Sequence, residues 1–377
     1  MTAMPPPAPA ARARYASPAL TGFAKSLLIA AGMPGDRARD VADILVEADL
    51  LGHDTHGLQL LSTYLQHIEA GHMKVAGDPI TLADHGAVIN WDGQRLPGPW
   101  LVLRAMEIAT ERAKTYGSGT VTIGRSYHIA CLAAYLKRAT DRGLVMLLLS
   151  SAPSGASVAP HGGLRPVFSP SPIAIGFPTG EGPVLVDVST SITTNGMTNR
   201  LRKEGKRLLH QWLLDDMGEP SDDPAVLAAP RKGTSEPSAD PAMLQASCTG
   251  TILPLGGLDA GHKGYGLALL VEALTAGLSG RGRADPPEPM DASVFLQILD
   301  PEKFGGAKDF HRQMDWVAKA CVDNPPRRGF DRVRLPGQNG LMRRERQLRD
   351  GVELEPSILP SLVPWAEKFR VALPTAS

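Results

Sequence analysis

Behind Ser17-Pro18, a serine cap with proline at the first helical position, apolar residues recur at helical spacing over 18–31 until Gly32 ends the run. Two more amphipathic segments follow, residues 36–51 closed by Gly52 and residues 58–70 closed by Gly71. The turn Gly52-His53-Asp54-Thr55-His56-Gly57 lies between them. After a polar stretch the pattern predicts a helix over 100–116, a strand over 120–124, a helix over 130–142 and a buried strand over 145–150. Residues 151–182 are too rich in Ser, Pro and Gly for regular elements, apart from a short apolar run at Ile173–Phe177. VLVDVS (184–189) predicts another strand, whereas six prolines between Asp215 and Gly261 keep that stretch largely as loop. Helix over 262–278, strand over 294–300, helix over 310–324 and a last helix over 365–373 complete the pattern. Alternation of strand and helix predicts an α/β fold, a sheet covered by helices.

Length, composition and charge narrow the function. A chain of 377 residues has room for two to three domains and a sizeable core. Its 43% hydrophobic and 21% charged residues are those of a globular protein. A formal net charge of +0 offers no basic excess for nucleic acid or an anionic membrane, so a small molecule is the expected partner. The 39 glycines and 33 prolines call for many turns and ordered loops, which often carry sites. Cys131, Cys248 and Cys321 form no C-x-x-C pair, so neither a disulfide framework nor a cysteine-rich zinc module is expected and a reducing compartment fits. No apolar run reaches the roughly 18 residues that span a bilayer. The Pro/Ala/Arg-rich opening lacks a secretory core; it reads as a disordered tail, with a transit peptide as the alternative, and the expected setting is cytoplasmic.

No G-x-G-x-x-G follows a strand, and Walker A, G-x-S-x-G and H-E-x-x-H motifs are absent, so a Rossmann dinucleotide site is not expected. His56, directly after Thr55 at the mouth of a helix, pairs an imidazole suited to proton transfer with a hydroxyl that could orient substrate. A helix cap with a polar neighbour explains the same residues. His128 sits where a strand gives way to a helix, a junction whose backbone amides suit an anion such as a cofactor phosphate; a satisfied surface histidine accounts for it equally well. Asp187 lies inside an apolar strand, where it either orients a catalytic imidazole or makes a structural salt bridge. His262-Lys263-Gly264 opens a helix and combines close backbone approach with a positive charge, which suits a phosphate or ribose, or is simply a helix-initiating turn. His53, His56, His67 and His72 are close in sequence, but their spacing matches no zinc pattern, and no metal site is expected.

Seven blocks together resemble the malate/L-lactate dehydrogenase family of the non-Rossmann, sulfolactate-dehydrogenase-like type, whose members include ureidoglycolate dehydrogenases, diketogulonate reductases and cyclic imino-acid reductases. They are EADLLGHDTHG, SYHIA, SPIAIGFP, VLVDVSTS, WLLDDMGEPSDDP, LPLGGLDAGHKGYGLALLVEALTAGLSG and RLPGQ, in the family's order, and the likeness runs from about residue 16 to 375. The resemblance implies a homodimer with a mixed sheet, covering helices and an unusual NAD(P)-binding fold. It divides the chain into a tail (1–15), an N-terminal helical part of the substrate and dimer domain (16–120), an NAD(P)-binding domain (121–299) and a C-terminal part returning to the first domain (300–377). It implies Thr55, His56 and Asp187 as a proton-relay set, with His128 as an alternative acid/base. Cofactor contacts carry over onto His128, Asp187, Ser189, Thr190, Ser191, His262, Lys263, Gly264 and Gly337. The expected cofactor is NAD or NADP, with a slight preference for NADPH. The implied reaction is hydride transfer between nicotinamide and a small 2-oxo acid, ketone or cyclic imine, or the corresponding hydroxy or amino compound.

Three positions depart from the family pattern. Leu60 stands where relatives place an arginine that looks like the substrate-carboxylate clamp, Met197 where lysine is common, and Ser171 where a loop asparagine is usual. These departures motivate an alternative, a cofactor-binding relative with lost or redirected catalysis, and they leave Arg165 or Arg200 as replacement cations. The stretch 228–250 reads as an insertion, either a lid or a tolerated surface loop.

Overall fold

A computed structural model describes residues 13–228 and 250–376. A two-residue strand, β1 (Arg14–Tyr15), precedes α1 (Ser17–Ala30) and α2 (Gly35–Leu51). The α1 cap is Ala16, which makes no side-chain bond; Ser17 is already helical, so Pro18 rather than a serine oxygen favours this start. Gly52, at φ 92°, closes α2 as its position in the pattern predicts. The third helix, α3 (Leu61–Glu69), begins later than expected, because single 3-10 turns at Asp54–His56 and Leu58–Leu60 occupy the approach.

The polar stretch hides a hairpin, β2 (Ile80–Asp84) and β3 (Val88–Asp92). Ile80 and Leu82 are both exposed, so β2 has no alternation of apolar and polar sides to detect. Next come α4 (Gly98–Tyr116), β4 (Ser118–Tyr127), α5 (Ala133–Thr140), β5 (Val145–Ser151), β6 (Pro172–Phe177), β7 (Val184–Ser189) and α6 (Asn195–Lys203). The apolar run in the broken segment is therefore a full strand, β6. Short strands β8 (Leu213–Leu214), β9 (Pro220–Ser221) and β10 (Thr251–Ile252) form a separate three-stranded sheet within the proline-rich stretch. Of the 228–250 segment read as an insertion, residues 229–249 lie outside the described residues. The chain ends with α7 (Gly257–Glu272), β11 (Asp291–Leu299), α8 (Ala307–Val322), α9 (Gln338–Asp350), β12 (Val352–Glu353) and α10 (Ile358–Phe369). The last helix thus starts and stops earlier than 365–373.

The fold is mixed α/β. Its main sheet has seven strands in the order β2-β3-β4-β11-β5-β6-β7. Only β3 and β4 pair in parallel; every other neighbour pair is antiparallel. Strands β4 and β5, joined through α5, run in the same direction, but β11 lies between them and is antiparallel to both. The local strand-helix-strand rhythm is real, and a strand from much later in the sequence fills the gap it leaves.

One large core joins the helices to this sheet. Leu20, Leu27, Ile44 and Leu45 from α1 and α2 are fully buried with Val121, Ile123, Leu148 and Leu296 from the strands. A smaller cluster of Val158, Phe168, Leu213 and Ile252 holds the three-stranded sheet. Among the described residues no helix is long and apolar enough to cross a membrane.

Candidate active site

The turn after α2 is held from beneath by a carboxylate. Asp49, 2% exposed, accepts the Leu58 N–H at 2.8 Å. Gly57 makes this approach possible, since a Cβ there would lie 2.2 Å from Asp49 Oδ1. Burial pushes the Asp49 carboxyl well above the ordinary range, against the opposing Leu58 hydrogen bond. At the other end of the turn, a Cβ on Gly52 would come within 2.6 Å of Arg343 Nη1, so the guanidinium from α9 lies across this glycine. Arg343 Nη2 is 3.8 Å from Asp54 Oδ1.

The turn so fixed presents Thr55 and His56 to a cleft of about 720 Å3. Thr55 Oγ1 and His56 Nδ1 are 2.9 Å apart. Against this turn, α6 begins with Thr194 accepting the Met197 N–H at 3.3 Å. Gly196 abuts Thr55, with a Cβ position 3.0 Å from the threonine Cβ. One helical turn further, Arg200 shares that face, and its Nη2 lies 3.5 Å from Met197 Sδ. Both residues line the cleft.

His128 follows β4 and its ring stacks near His56, with centroids 6.0 Å apart at 24°. Its Nδ1 accepts the Ala130 N–H at 3.2 Å, with the Tyr64 hydroxyl 3.0 Å away. A ring nitrogen that accepts from a backbone amide carries no proton, so the neutral ring is the Nε2–H tautomer. Burial, with the neighbouring His56, lowers the His128 imidazole to about 3; burial, with His53, lowers His56 to about 4. Both imidazoles are neutral at pH 7.

Asp187, on β7, reaches the start of α5. Its Oδ2 accepts the Ala133 N–H at 2.8 Å and lies 3.8 Å from Cys131 Sγ. One amide at the start of α5, that of Ala133, is therefore committed to the protein's own carboxylate. The imidazole beside Asp187 is His53: donor atoms of His53, Cys131 and Asp187 all lie within 4.8 Å of one another. Burial raises the Asp187 carboxyl, opposed by His53 and the α5 amide. Burial first, then the Asp187 charge, raises the Cys131 thiol well above its usual range.

Of the sequence candidates, the cleft brings together Thr55, His56, His128, Asp187 and Ser189. Thr190 and Ser191 are buried beside it, with their hydroxyls donated to Pro170 O at 3.0 Å and Thr193 O at 2.6 Å. His262 and Lys263 are exposed on α7, the former with its ring 5.7 Å from His161, and neither lines the cleft. Gly264 packs against the Leu255 backbone and Gly337 against Leu185, both away from the lining. Leu60 packs against the main core and Arg165 is exposed; Ser171, at φ 41°, does line the cleft. His67 and His72 contact each other, with centroids 5.4 Å apart, outside the cleft. Arg343, Asp49 and Tyr64 went unnoticed in the sequence. No local pattern in the polar segment that forms α9 singles out Arg343.

The sequence profile of the malate/L-lactate dehydrogenase family matches residues 16–363. The chain belongs to this family. It is 29% identical over 361 residues to an L-lactate dehydrogenase of Cupriavidus necator, covering 94% of this chain and 97% of that one. It is 27% identical over 354 residues to a malate/(S)-sulfolactate dehydrogenase of Methanothermus fervidus, covering 92% and 95%. The crystal structure of malate dehydrogenase from Entamoeba histolytica superposes with a TM-score of 0.87 over 97% of this chain and all of that one, at 24% identity. The non-Rossmann, sulfolactate-dehydrogenase-like fold and an oxidoreductase activity follow from membership, and dehydrogenases of this family use nicotinamide cofactors.

Proposed function

We propose that this enzyme interconverts a small 2-hydroxy acid and its 2-oxo acid with NAD(P), and that cyclic imines are a second substrate class. The observation that carries this reading is the pair of stacked, neutral imidazoles in one cleft with two guanidiniums. The donor set suits a nicotinamide cofactor: hydroxyls of Ser150, Ser169, Ser189 and Thr194 and the Asn195 amide match its ribose and carboxamide groups. When bound, the cofactor supplies or accepts the hydride. NADPH is the first form to try.

The two histidines divide the remaining work. With Nδ1–H donated to Thr55 Oγ1, His56 has its lone pair on Nε2, poised to take the proton of a substrate hydroxyl and to return it in the reverse direction. His128 cannot do the same, because the Ala130 amide reserves its Nδ1; its Nε2–H is a fixed donor to the reacting oxygen. Arg200 and Arg343 hold the carboxylate in place of the arginine absent at Leu60. The names of the relatives, lactate and malate/sulfolactate dehydrogenases, support a small acid.

We further propose the homodimer and the four-part division of the chain suggested by the resemblance, and a cytoplasmic setting, which the unpaired Cys131 and Cys321 thiols favour. The deciding experiment follows nicotinamide absorbance with a panel of 2-oxo acids and imines. His56→Ala is expected to lower kcat by about 10²- to 10⁴-fold, the usual worth of a general base, while NAD(P)H fluorescence titration shows retained binding. Full turnover in His56→Ala overturns the division of work between the two histidines, and no binding of either coenzyme overturns the reading as a whole.

A further inference from the structure

Three cleft residues outside the proposed hydride chemistry's donor set converge from separate elements. His53 caps the 3-10 turn after α2, Cys131 sits in the connection before α5, and Asp187 lies on β7. One donor atom from each falls within a 4.8 Å cluster, and all three residues line the same cleft. We propose that they form a binding site for a thiophilic divalent cation of the Zn2+ and Cd2+ class, and that its occupancy inhibits the enzyme.

The geometry comes close to what such an ion needs. In a tetrahedral zinc site, with bonds of about 2.0 Å to oxygen and 2.3 Å to sulfur, the oxygen and sulfur ligands are about 3.5 Å apart. Cys131 Sγ and Asp187 Oδ2 are 3.8 Å apart. That edge is already set, and the α5 amide at 2.8 Å orients the carboxylate from behind. His53 is exposed, so its imidazole can swing inward by the remaining distance, up to about 1.5 Å against these bond lengths, without repacking a core. A thiolate, an imidazole and a carboxylate select zinc-like ions over Mg2+ or Ca2+, which prefer all-oxygen shells. On binding, the Cys131 S–H bond is replaced by a sulfur–metal bond and the proton leaves to solvent. The thiolate and carboxylate then balance the charge of the cation, and its fourth position faces the cleft. The ligands lie at positions 53, 131 and 187, which is why no local spacing motif announces them.

Binding does not depend on the proposed reaction; only the inhibition does. The test titrates Cd2+ into the full-length, metal-free protein carrying Cys248→Ser and Cys321→Ser, and follows the sulfur-to-metal charge-transfer absorbance. One equivalent is expected to bind with such a band and release of a proton. Cys131→Ser abolishes the band, and His53→Ala weakens Cd2+ binding by tenfold or more. In the active enzyme, His53→Ala retains turnover in metal-free buffer and raises the zinc concentration for half-inhibition by a similar factor. Absence of the band, a band that survives Cys131→Ser, or an affinity unchanged in His53→Ala overturns the site. Stoichiometric binding without inhibition leaves the site standing and overturns its regulatory role. Should Cys131→Ser fail to fold, the exposed His53 variant decides alone.

Discussion

At the scale of single residues, His128 shows how one backbone contact can select a protonation state. Its ring is kept neutral by burial, and its tautomer is chosen by the Ala130 amide. The consequence is measurable. Between the ordinary histidine value near 6.5 and about 3, the unfolded chain binds a proton that the folded protein refuses. Stability contributed by the neutral ring is therefore complete above about pH 6.5 and is lost as pH falls, by up to about 1.4 kcal/mol per pH unit. His128→Asn, which can still accept from Ala130, should remove that slope, and urea denaturation at pH 7.5 and pH 5 should show a smaller difference for the variant than for the parent. The buried carboxyls of Asp49 and Asp187 have raised values and act with the opposite sign, so the comparison between variant and parent isolates the imidazole. An equal pH difference in both proteins would remove His128 from the account.

At the scale of elements, what was legible depended on whether a segment has one apolar side. The helices α1, α2 and α4 and the strands β4, β5 and β7 bury a regular face, and their periodicity locates them to within a few residues. The helices α6 and α9 read NGMTNRLRK and QNGLMRRERQLRD, too polar for a stripe, and were invisible to the same logic. These two helices carry Arg200 and Arg343 to the cleft. Replacing either arginine by leucine should raise KM for a 2-oxo acid by about 10- to 100-fold, the worth of one charge-assisted contact, with a smaller change in kcat. Leu60→Arg should gain nothing, because that side chain packs against the main core and does not line the cleft. Steady-state kinetics on the three variants checks both statements; an unchanged KM in Arg200→Leu and Arg343→Leu would return carboxylate recognition to an unidentified group.

At the scale of the whole molecule, α7 leaves Leu258, Leu269 and Leu270 exposed. Apolar side chains grouped on one helix are what a second copy of the chain would cover. Light scattering should report a dimer, and the double variant Leu269→Glu/Leu270→Glu should report a monomer; a monomeric parent protein would refute the pairing. By itself the sequence determined the class of fold, most helices and strands, the family and the Thr55-His56 turn, because each is encoded in local periodicity or in contiguous residues. Only the tertiary structure decided that β11 separates β4 from β5, that Asp187 meets His53 and Cys131, and that Arg343 reaches across Gly52. Those pairings join residues tens to hundreds of positions apart, and their energy lies in packing and electrostatics between elements, which no local pattern records.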